Sequence, residues 1–178
     1  YSNGLTGGCE ISGSVVGVIT GNQNVCGGSY TETWTFTDAC GRVITTSRTI
    51  TTEDLVAPVI SCPADVTVNC GDNTSTTATG DATATDNCST PTVTHSDANS
   101  LTGCYNSGTI TRTWTATDAC GNTATCVQVI TVNPPAPATF SAVSNITVQG
   151  CVAPAPTTLS YSNGLTGGCE ISGSVVGV

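Results

Sequence analysis

The chain has 178 residues, of which only 8% are charged, and it combines eleven cysteines with three arginines, no lysine and a formal net charge of −9. This acidic balance argues against nucleic acid or an anionic membrane as a partner. No apolar run approaches the roughly 18 residues that span a bilayer, so we expect no membrane insertion in this segment. Cysteine at this density predicts disulfide bonds, and therefore an extracellular or cell-surface location.

Two periods organise the chain. The stretch YSNGLTGGCEISGSVVGV at 1–18 recurs unchanged at 161–178, which gives a period of 160 residues. A second period of about 80 residues lies inside it, because TWTFTDACG at 33–41 recurs as TWTATDACG at 113–121. We therefore predict three segments: the end of a second-type repeat at 1–55, a complete first-type repeat at 56–135, and the beginning of the next second-type repeat at 136–178.

Taken in chain order, the predicted elements are strands. The stretch SYTETWTFTDACGRVITTSRTITT at 29–52 predicts a hairpin with its turn at DACG, since Asp and Gly are turn residues. After LVAPVISCP, alternating apolar and polar residues predict three short strands, at 65–70, 78–88 and 91–96.

The clearest pattern in the chain follows at 108–132. Alternate positions from 109 to 117 are all threonine, while Ile110, Arg112, Trp114 and Ala116 fall on the other face. This alternation predicts a half-buried strand with Trp114 inside, which a turn at 118–122 joins to a return strand. No segment has a convincing 3.6-residue period, so the predicted class is all-β.

Proline-rich stretches at 55–63 and 132–140 mark the ends of the repeats. Short, proline-stiffened linkers hold neighbouring domains in a semi-rigid row. Prolines also protect edge strands, and the two roles do not conflict.

The succession APVISCP, DVTV, TATDN, GTITRTWTATDACGNTATC and ITV resembles a hyalin-repeat (HYR) domain. It is most similar to the cysteine-rich HYR-like variant of very large secreted or surface proteins of Bacteroidota. The resemblance implies tandem immunoglobulin-like β-sandwich domains that are extracellular, have no enzymatic activity and belong to adhesin-like proteins exported by the type IX route. The second-type repeat departs from this pattern because it lacks two of the cysteines.

The six cysteines of the first-type repeat allow fifteen pairings, and spacing alone does not choose among them. Cys62 and Cys126 have no counterparts in the second-type repeat, where Ala142 and Thr46 stand. Two cysteines that are missing together indicate one bridge, and the usual pair of the resembled family also joins the first strand to the last. We therefore predict Cys62–Cys126.

Sandwich topology suggests the remaining bonds, because successive antiparallel strands place their loops alternately at two ends. On this reasoning we predict Cys88–Cys120 and Cys70–Cys104, and by homology Cys9–Cys40. Cys151 would bond a cysteine 35 residues further on, past residue 178. Three cysteines remain unpaired within the 178 residues, namely Cys26, Cys151 and Cys169.

Acidic residues supply the one candidate ligand site. Glu53 and Asp54 precede the first-type repeat, and Asp86 and Asp118 fall in loops that we place at the same end. Four carboxylates in one place could bind calcium, which prefers oxygen ligands. The alternative, which we favour, is that Asp86 and Asp118 only cap their own turns. Calcium is the one cofactor that the sequence suggests.

No group of residues predicts catalysis. His95 is the single histidine and has no evident nucleophile or metal partner in the sequence. Zinc is disfavoured because no pair of cysteines is spaced by two residues.

We expect a non-enzymatic stalk repeat of a long extracellular filament or cell-surface adhesin, which gives reach and mechanical and proteolytic toughness. Its partners would be neighbouring repeats and an unidentified surface ligand. Two alternatives stay open: a filament subunit that polymerises by donating a strand, and a calcium-dependent ligand-binding adhesin module.

Overall fold

The computed structural model describes residues 1–177, and of Cys9 it describes the backbone only. Strands dominate these residues, which confirms the all-β class. They are β1 (Val18–Asn24), β2 (Gly27–Thr37), β3 (Val43–Glu53), β4 (Val59–Ser61), β5 (Val66–Val68), β6 (Thr83–Thr85), β7 (Thr92–Ser100), β8 (Gly108–Thr117), β9 (Thr123–Val132), β10 (Thr139–Phe140), β11 (Thr158–Ser162) and β12 (Ser172–Val176). The helices are α1 (Thr76–Thr79) and short 3-10 helices at Gly7–Cys9, Cys104–Asn106 and Gly167–Cys169.

The chain divides into two compact units that do not follow the sequence repeats. The first consists of Tyr1–Val59, Ala84–Thr92 and Ala116–Ala124, and the second of Ile60–Thr83, Val93–Thr115 and Thr125–Val178. Each unit therefore combines parts of two repeats. The repeat boundaries at 55/56 and 135/136 stay a prediction from the sequence.

The first unit contains the antiparallel sheet β1-β2-β3. Strands β2 and β3 form the hairpin predicted at 29–52. The sequence patterns did not predict β1, which is a polar and glycine-containing strand. The ring of Tyr1 stacks on Phe36 with 3.8 Å between ring centroids, and most side chains of β1 and β3 are exposed.

The strands of the first-type repeat form a two-stranded sheet, β4-β6, and a four-stranded sheet, β5-β9-β8-β7. Strand β5 runs parallel to β9, with Val66 opposite Ile130. A third group, β10-β11-β12, is antiparallel and lies in the second unit. The prediction of a strand at 78–88 was wrong over its first residues, because α1 ends at Thr79 and β6 covers only Thr83–Thr85.

Strand β8 carries the core as its alternation predicted. The side chains of Ile110, Arg112, Trp114 and Ala116 are all buried, while the intervening threonines are half-buried. From β9, Ile130 and Gln128 are fully buried. The Gln128 amide nitrogen donates hydrogen bonds to the carbonyl oxygens of Ala64 and Thr79, at 2.9 and 2.8 Å, and so fixes the end of α1.

The most polar part of this core is built on Arg112. Its guanidinium donates to both carboxylate oxygens of Asp97 at 2.8 Å, to Oγ1 of Thr79 at 2.9 Å and to the carbonyl oxygen of Thr74 at 2.9 Å. The Arg112 side chain is 3% exposed and that of Asp97 29%. A buried charge needs this pairing, because an unpaired one would lose its hydration without compensation.

The disulfide bonds agree with one predicted pair. Cys62 and Cys126 are bonded, with their Cα atoms 5.9 Å apart, and join the start of the first-type repeat to its last strand. The pairs Cys88–Cys120 and Cys70–Cys104 were wrong. Cys120 is bonded to Cys26, and Cys70 to Cys169.

The physical reason is that these two bonds connect different repeats. Their partners are separated by 94 and 99 residues, more than the length of one repeat, yet their Cα atoms lie 5.2 and 5.9 Å apart, within disulfide reach. Cys26 and Cys169, expected to be unpaired, are thus bonded. Four cysteines are free and exposed, namely Cys40, Cys88, Cys104 and Cys151. Cys9 was predicted to bond Cys40, and its side chain lies outside the described residues.

Candidate cation site

Three of the four predicted acidic residues come together in the first unit. One carboxylate oxygen from each of Asp54, Asp86 and Asp118 lies within 4.8 Å of the other two. Asp54 and Asp118 are 7% and 6% exposed. Glu53 is exposed and is not part of the group, because neighbouring residues along an extended chain point in opposite directions.

Asp118 is held by the turn between β8 and β9. Its Oδ1 accepts hydrogen bonds from the backbone N–H groups of Cys120, at 2.8 Å, and Asn122, at 2.9 Å, and its Oδ2 accepts one from the Asn122 amide at 2.8 Å. Burial opposes ionisation of Asp118, but these hydrogen bonds prevail and lower its pKa. The turn therefore keeps Asp118 negatively charged.

Asp86 and Asp54 each use one oxygen in a turn and leave the other without a partner. Oδ2 of Asp86 accepts the backbone N–H groups of Cys88 and Ser89, and Oδ1 of Asp54 accepts that of Val56. The remaining oxygens, Asp86 Oδ1 and Asp54 Oδ2, are buried and form no hydrogen bond. Turn capping, the role that we favoured for Asp86 and Asp118, is thus present at both residues, but at Asp86 it uses only one of the two carboxylate oxygens.

No arginine neutralises this group. The three arginines of the chain are engaged elsewhere, Arg42 with Asp38, Arg48 with Glu32 and Arg112 with Asp97. Two unit charges 4.8 Å apart, the upper limit for these oxygens, repel by roughly 3.5 kcal/mol at an effective dielectric constant of about 20. Two buried carboxylate oxygens that form no hydrogen bond lie beside a third carboxylate. Oxygen atoms of this kind are the ligands that Ca²⁺ prefers in proteins.

In the equivalent turn of the second-type repeat, an arginine neutralises the negative charge of the aspartate. There Asp38 accepts the backbone N–H groups of Cys40 and Arg42, both at 2.9 Å. The Arg42 side chain, at the position of Asn122, donates to the second oxygen of Asp38 at 2.6 Å. These hydrogen bonds from Arg42 lower the pKa of Asp38. The second-type turn carries its own cation, whereas the first-type turn does not.

Asn122 is the member of the site that the sequence patterns did not single out. Its amide donates to Asp118 and also to the carbonyl oxygen of Asp54 at 3.1 Å, and so ties the turn to the segment after β3. The two turns have the same sequence, TDACG, and differ at the next residue, which is Arg42 in one and Asn122 in the other. This difference was the sequence feature that could have identified Asn122 as part of the site.

Cys88 adjoins the acidic group. Although the residue is exposed, desolvation of its thiol and then the charges of Asp54 and Asp86 raise the pKa of Cys88. Cys88 thus lies within electrostatic range of these carboxylates, although Cys120, its predicted partner, is bonded to Cys26.

His95 is exposed on β7, where its ring centroid lies 5.0 Å from that of Trp114. Within residues 1–177, the one group of side chains arranged to hold a metal ion is the aspartate group, which does not include His95.

Comparison with known proteins finds a family match for part of the chain. Residues 58–132 match the model of an HYR-like domain with 4 cysteines, which agrees with the resemblance inferred from the sequence. The matched segment contains six cysteines, including the pair Cys62 and Cys126 that the second-type repeat lacks. The comparison with curated proteins finds no match to this chain. Among the described residues, no helix has the length and apolarity needed to cross a membrane.

Proposed function

We propose that the chain is a structural, non-enzymatic repeat in the stalk of a long extracellular filament or cell-surface adhesin. The observation that carries the proposal is that two disulfide bonds join different sequence repeats to one another. The match to an HYR-like domain supports an extracellular module, and disulfide bonds persist in such an environment. The resemblance to large adhesin-like proteins of Bacteroidota, exported by the type IX route, supports this setting.

A stalk should lengthen in proportion to the number of repeats. Strands of about nine residues at roughly 3.3 Å each make a repeat about 30 Å long. A further copy of residues 19–178, which holds two repeats, should therefore add about 60 Å to the maximum dimension in small-angle X-ray scattering. If the repeats instead packed into one compact body, doubling the chain would raise its radius of gyration only about 1.3-fold, and the stalk proposal would fail.

We further propose that Asp54, Asp86 and Asp118 bind Ca²⁺ and thereby stabilise the contact between a second-type repeat and the following first-type repeat. The unpartnered, buried Oδ2 of Asp54 carries this proposal. Because Arg42 already neutralises the equivalent turn, calcium would act only where a first-type repeat follows a second-type one.

Calcium should raise the melting temperature of the chain. Extracellular calcium modules bind with dissociation constants of about 0.1–1 mM, so 10 mM Ca²⁺ should stabilise the chain by about 1.5–3 kcal/mol. For a chain of this size, that corresponds to a rise of about 3–10 °C in a calorimetric or circular dichroism melt. Mg²⁺ at the same concentration should have a smaller effect, because it demands a stricter octahedral geometry.

Asp54→Asn separates this proposal from general ionic effects. The amide retains the oxygen that accepts the Val56 N–H and places an NH₂ donor beside the other two carboxylates. The variant should therefore melt higher than the wild type without calcium and lose the calcium response. Asp38→Asn is the matched control, and it should keep the full response. A calcium response that survives Asp54→Asn would exclude this site.

A further inference from the structure

The two disulfide bonds between repeats join cysteines at different positions of the fold. In the first, a cysteine just before the second strand of a β-meander (Cys26) bonds the hairpin-turn cysteine of the following repeat (Cys120). In the second, a cysteine after an early strand (Cys70) bonds a cysteine in a 3-10 helix of the following repeat (Cys169). Each bond thus links a cysteine of one repeat to a cysteine of the repeat that follows it in the sequence.

The internal duplication gives every one of these cysteines a counterpart. Cys104 corresponds to Cys26 and precedes β8 as Cys26 precedes β2. Cys40 corresponds to Cys120, and in both hairpin turns the cysteine N–H donates to the aspartate two residues earlier, at 2.9 and 2.8 Å. Cys151 corresponds to Cys70 through the alignment of Ile146-Thr147-Val148 with Val66-Thr67-Val68.

Cys88 and Cys9 are the counterparts of Cys169. The identical stretches at 1–11 and 161–171 share two backbone features, although Ser172–Val176 is a strand and residues 12–16 are not. Each forms a 3-10 helix, at Gly7–Cys9 and Gly167–Cys169, and each closes with a backbone hydrogen bond of 2.9 Å, from Asn3 to Ile11 and from Asn163 to Ile171.

We propose that, in an array of this period, the same two bonds recur between every pair of successive repeats. Cys104 then bonds the Cys40 of the following copy, and Cys151 bonds the Cys88 of the following copy. Cys9 bonds the Cys70 of the preceding copy. With these three assignments every cysteine of the chain has a partner, including the four that are free and exposed here.

The spacing agrees with this assignment. With a period of 160 residues, Cys104 precedes the next Cys40 by 96 residues, and Cys151 precedes the next Cys88 by 97. Both values fall between the 94 and 99 residues that separate the partners of the two bonds already formed. A partner within the same repeat would give much shorter separations.

The chain also exposes apolar surfaces that a neighbouring copy could cover. An apolar groove on the β1-β2-β3 sheet is lined by Tyr1, Trp34, Phe36 and Ile44. Residues 136–160 belong to the same type of repeat and expose Val143, Ile146 and Val148 by 74, 77 and 53%. In an array, residues 136–160 of one copy directly precede the residues that form this sheet in the next copy, so we expect their exposed apolar side chains to cover the groove.

Formation of each disulfide bond is a two-electron oxidation that needs one disulfide oxidant. Two cysteine thiols lose two protons and two electrons and form one S–S bond, while a disulfide oxidant is reduced to two thiols. The oxidant is a thiol–disulfide oxidoreductase outside the cytoplasm, or oxidised glutathione in the test tube.

A count of thiols tests the proposal without any substitution. The oxidised 178-residue chain, and the chain extended by another copy of residues 19–178, are denatured, alkylated and weighed by mass spectrometry. Each should take up five alkyl groups, because lengthening adds ten cysteines that all become bonded. The five are Cys9, Cys40 and Cys88 at the start and Cys104 and Cys151 of the last copy. Pairing within repeats would leave only three thiols in the 178-residue chain and would overturn the proposal.

The position of a single substitution then identifies the partner of Cys104. In the extended chain, Cys40→Ser in the second copy should release one additional thiol, which peptide mapping after peptic digestion should locate at Cys104 of the first copy. The same substitution in the first copy is the matched control. It removes a thiol that is already free, so all bonds should persist. If the second-copy substitution releases no thiol, Cys104 has a different partner and the proposal fails.

Discussion

Replacement of Arg112 by methionine is expected to lower the free energy of unfolding by about 3 kcal/mol. The change removes a guanidinium that donates four hydrogen bonds, and it leaves Asp97, Thr79 and the carbonyl of Thr74 without their partner. Breaking a buried ion pair from one side costs about 3–5 kcal/mol, and the 29% exposure of the Asp97 side chain places this pair at the lower end. Urea denaturation followed by tryptophan fluorescence measures the loss.

Arg48→Met is the matched control for this prediction. Arg48 also pairs with a carboxylate, Glu32, and lies over a tryptophan, Trp34, with 5.4 Å from its guanidinium carbon to the ring centroid. Its side chain is 64% exposed, however, and exposed ion pairs contribute less than about 1 kcal/mol. Equal losses for the two variants would contradict the role that we assign to burial.

The same pair predicts a dependence on pH. The hydrogen bonds from Arg112 lower the pKa of Asp97 against the opposing effect of burial. The folded chain therefore holds its proton less tightly than the unfolded chain, whose aspartates titrate near pH 3.9. The stabilisation is complete above that pH and is lost as the pH falls through the lowered value. The difference between wild type and Arg112→Met should consequently shrink below about pH 4, and a constant difference would contradict this account.

The second large effect is expected from the combined substitutions Cys62→Ala and Cys126→Thr. They introduce the residues found at the equivalent positions 142 and 46 of the second-type repeat. The bond that they remove joins residues 64 apart, and a loop of this length contributes about 4 kcal/mol in the chain-entropy account. The variant should remain folded and have a lower urea midpoint.

Cys88→Ser provides the baseline for that experiment. Cys88 is free and exposed, so its replacement should leave the midpoint close to that of the wild type. An unchanged midpoint for the Cys62 and Cys126 variant would mean that the bond does not stabilise the fold.

Local patterns predicted local structure well. The threonine alternation of β8 indicated which side chains are buried, from Ile110 to Ala116, because the two-residue period of a strand is a direct property of its backbone. Helix α1 was missed because four residues are too few to show a helical period. Strand β1 was missed because its sequence, VITGNQN, lacks apolar alternation.

The disulfide bonds show where sequence reasoning stopped. The prediction assumed that each repeat closes on itself, and under that assumption loop alternation gave Cys88–Cys120 and Cys70–Cys104. A cysteine and its counterpart in the neighbouring repeat are equivalent in the sequence, so no local pattern distinguishes a partner within a repeat from one in the next. The loss of Cys62 and Cys126 together was informative because it marked a bond that belongs to one repeat only.

Bonds that alternate between successive repeats limit how far an array can be stretched. A pulling force follows the shortest covalent route, which passes from Cys26 through its bond to Cys120, back along the hairpin to Cys104, and on through the next bond. In the proposed array this route contains only about 30 backbone residues per period, from Cys104 to Cys120 and from Cys26 to Cys40. At roughly 3.5 Å per residue, complete unfolding would extend each period to roughly 100 Å, whereas an unbridged period of 160 residues would extend to roughly 550 Å. Such an array would behave as a tether of nearly fixed length, whose domains can unfold with only a small increase in its length.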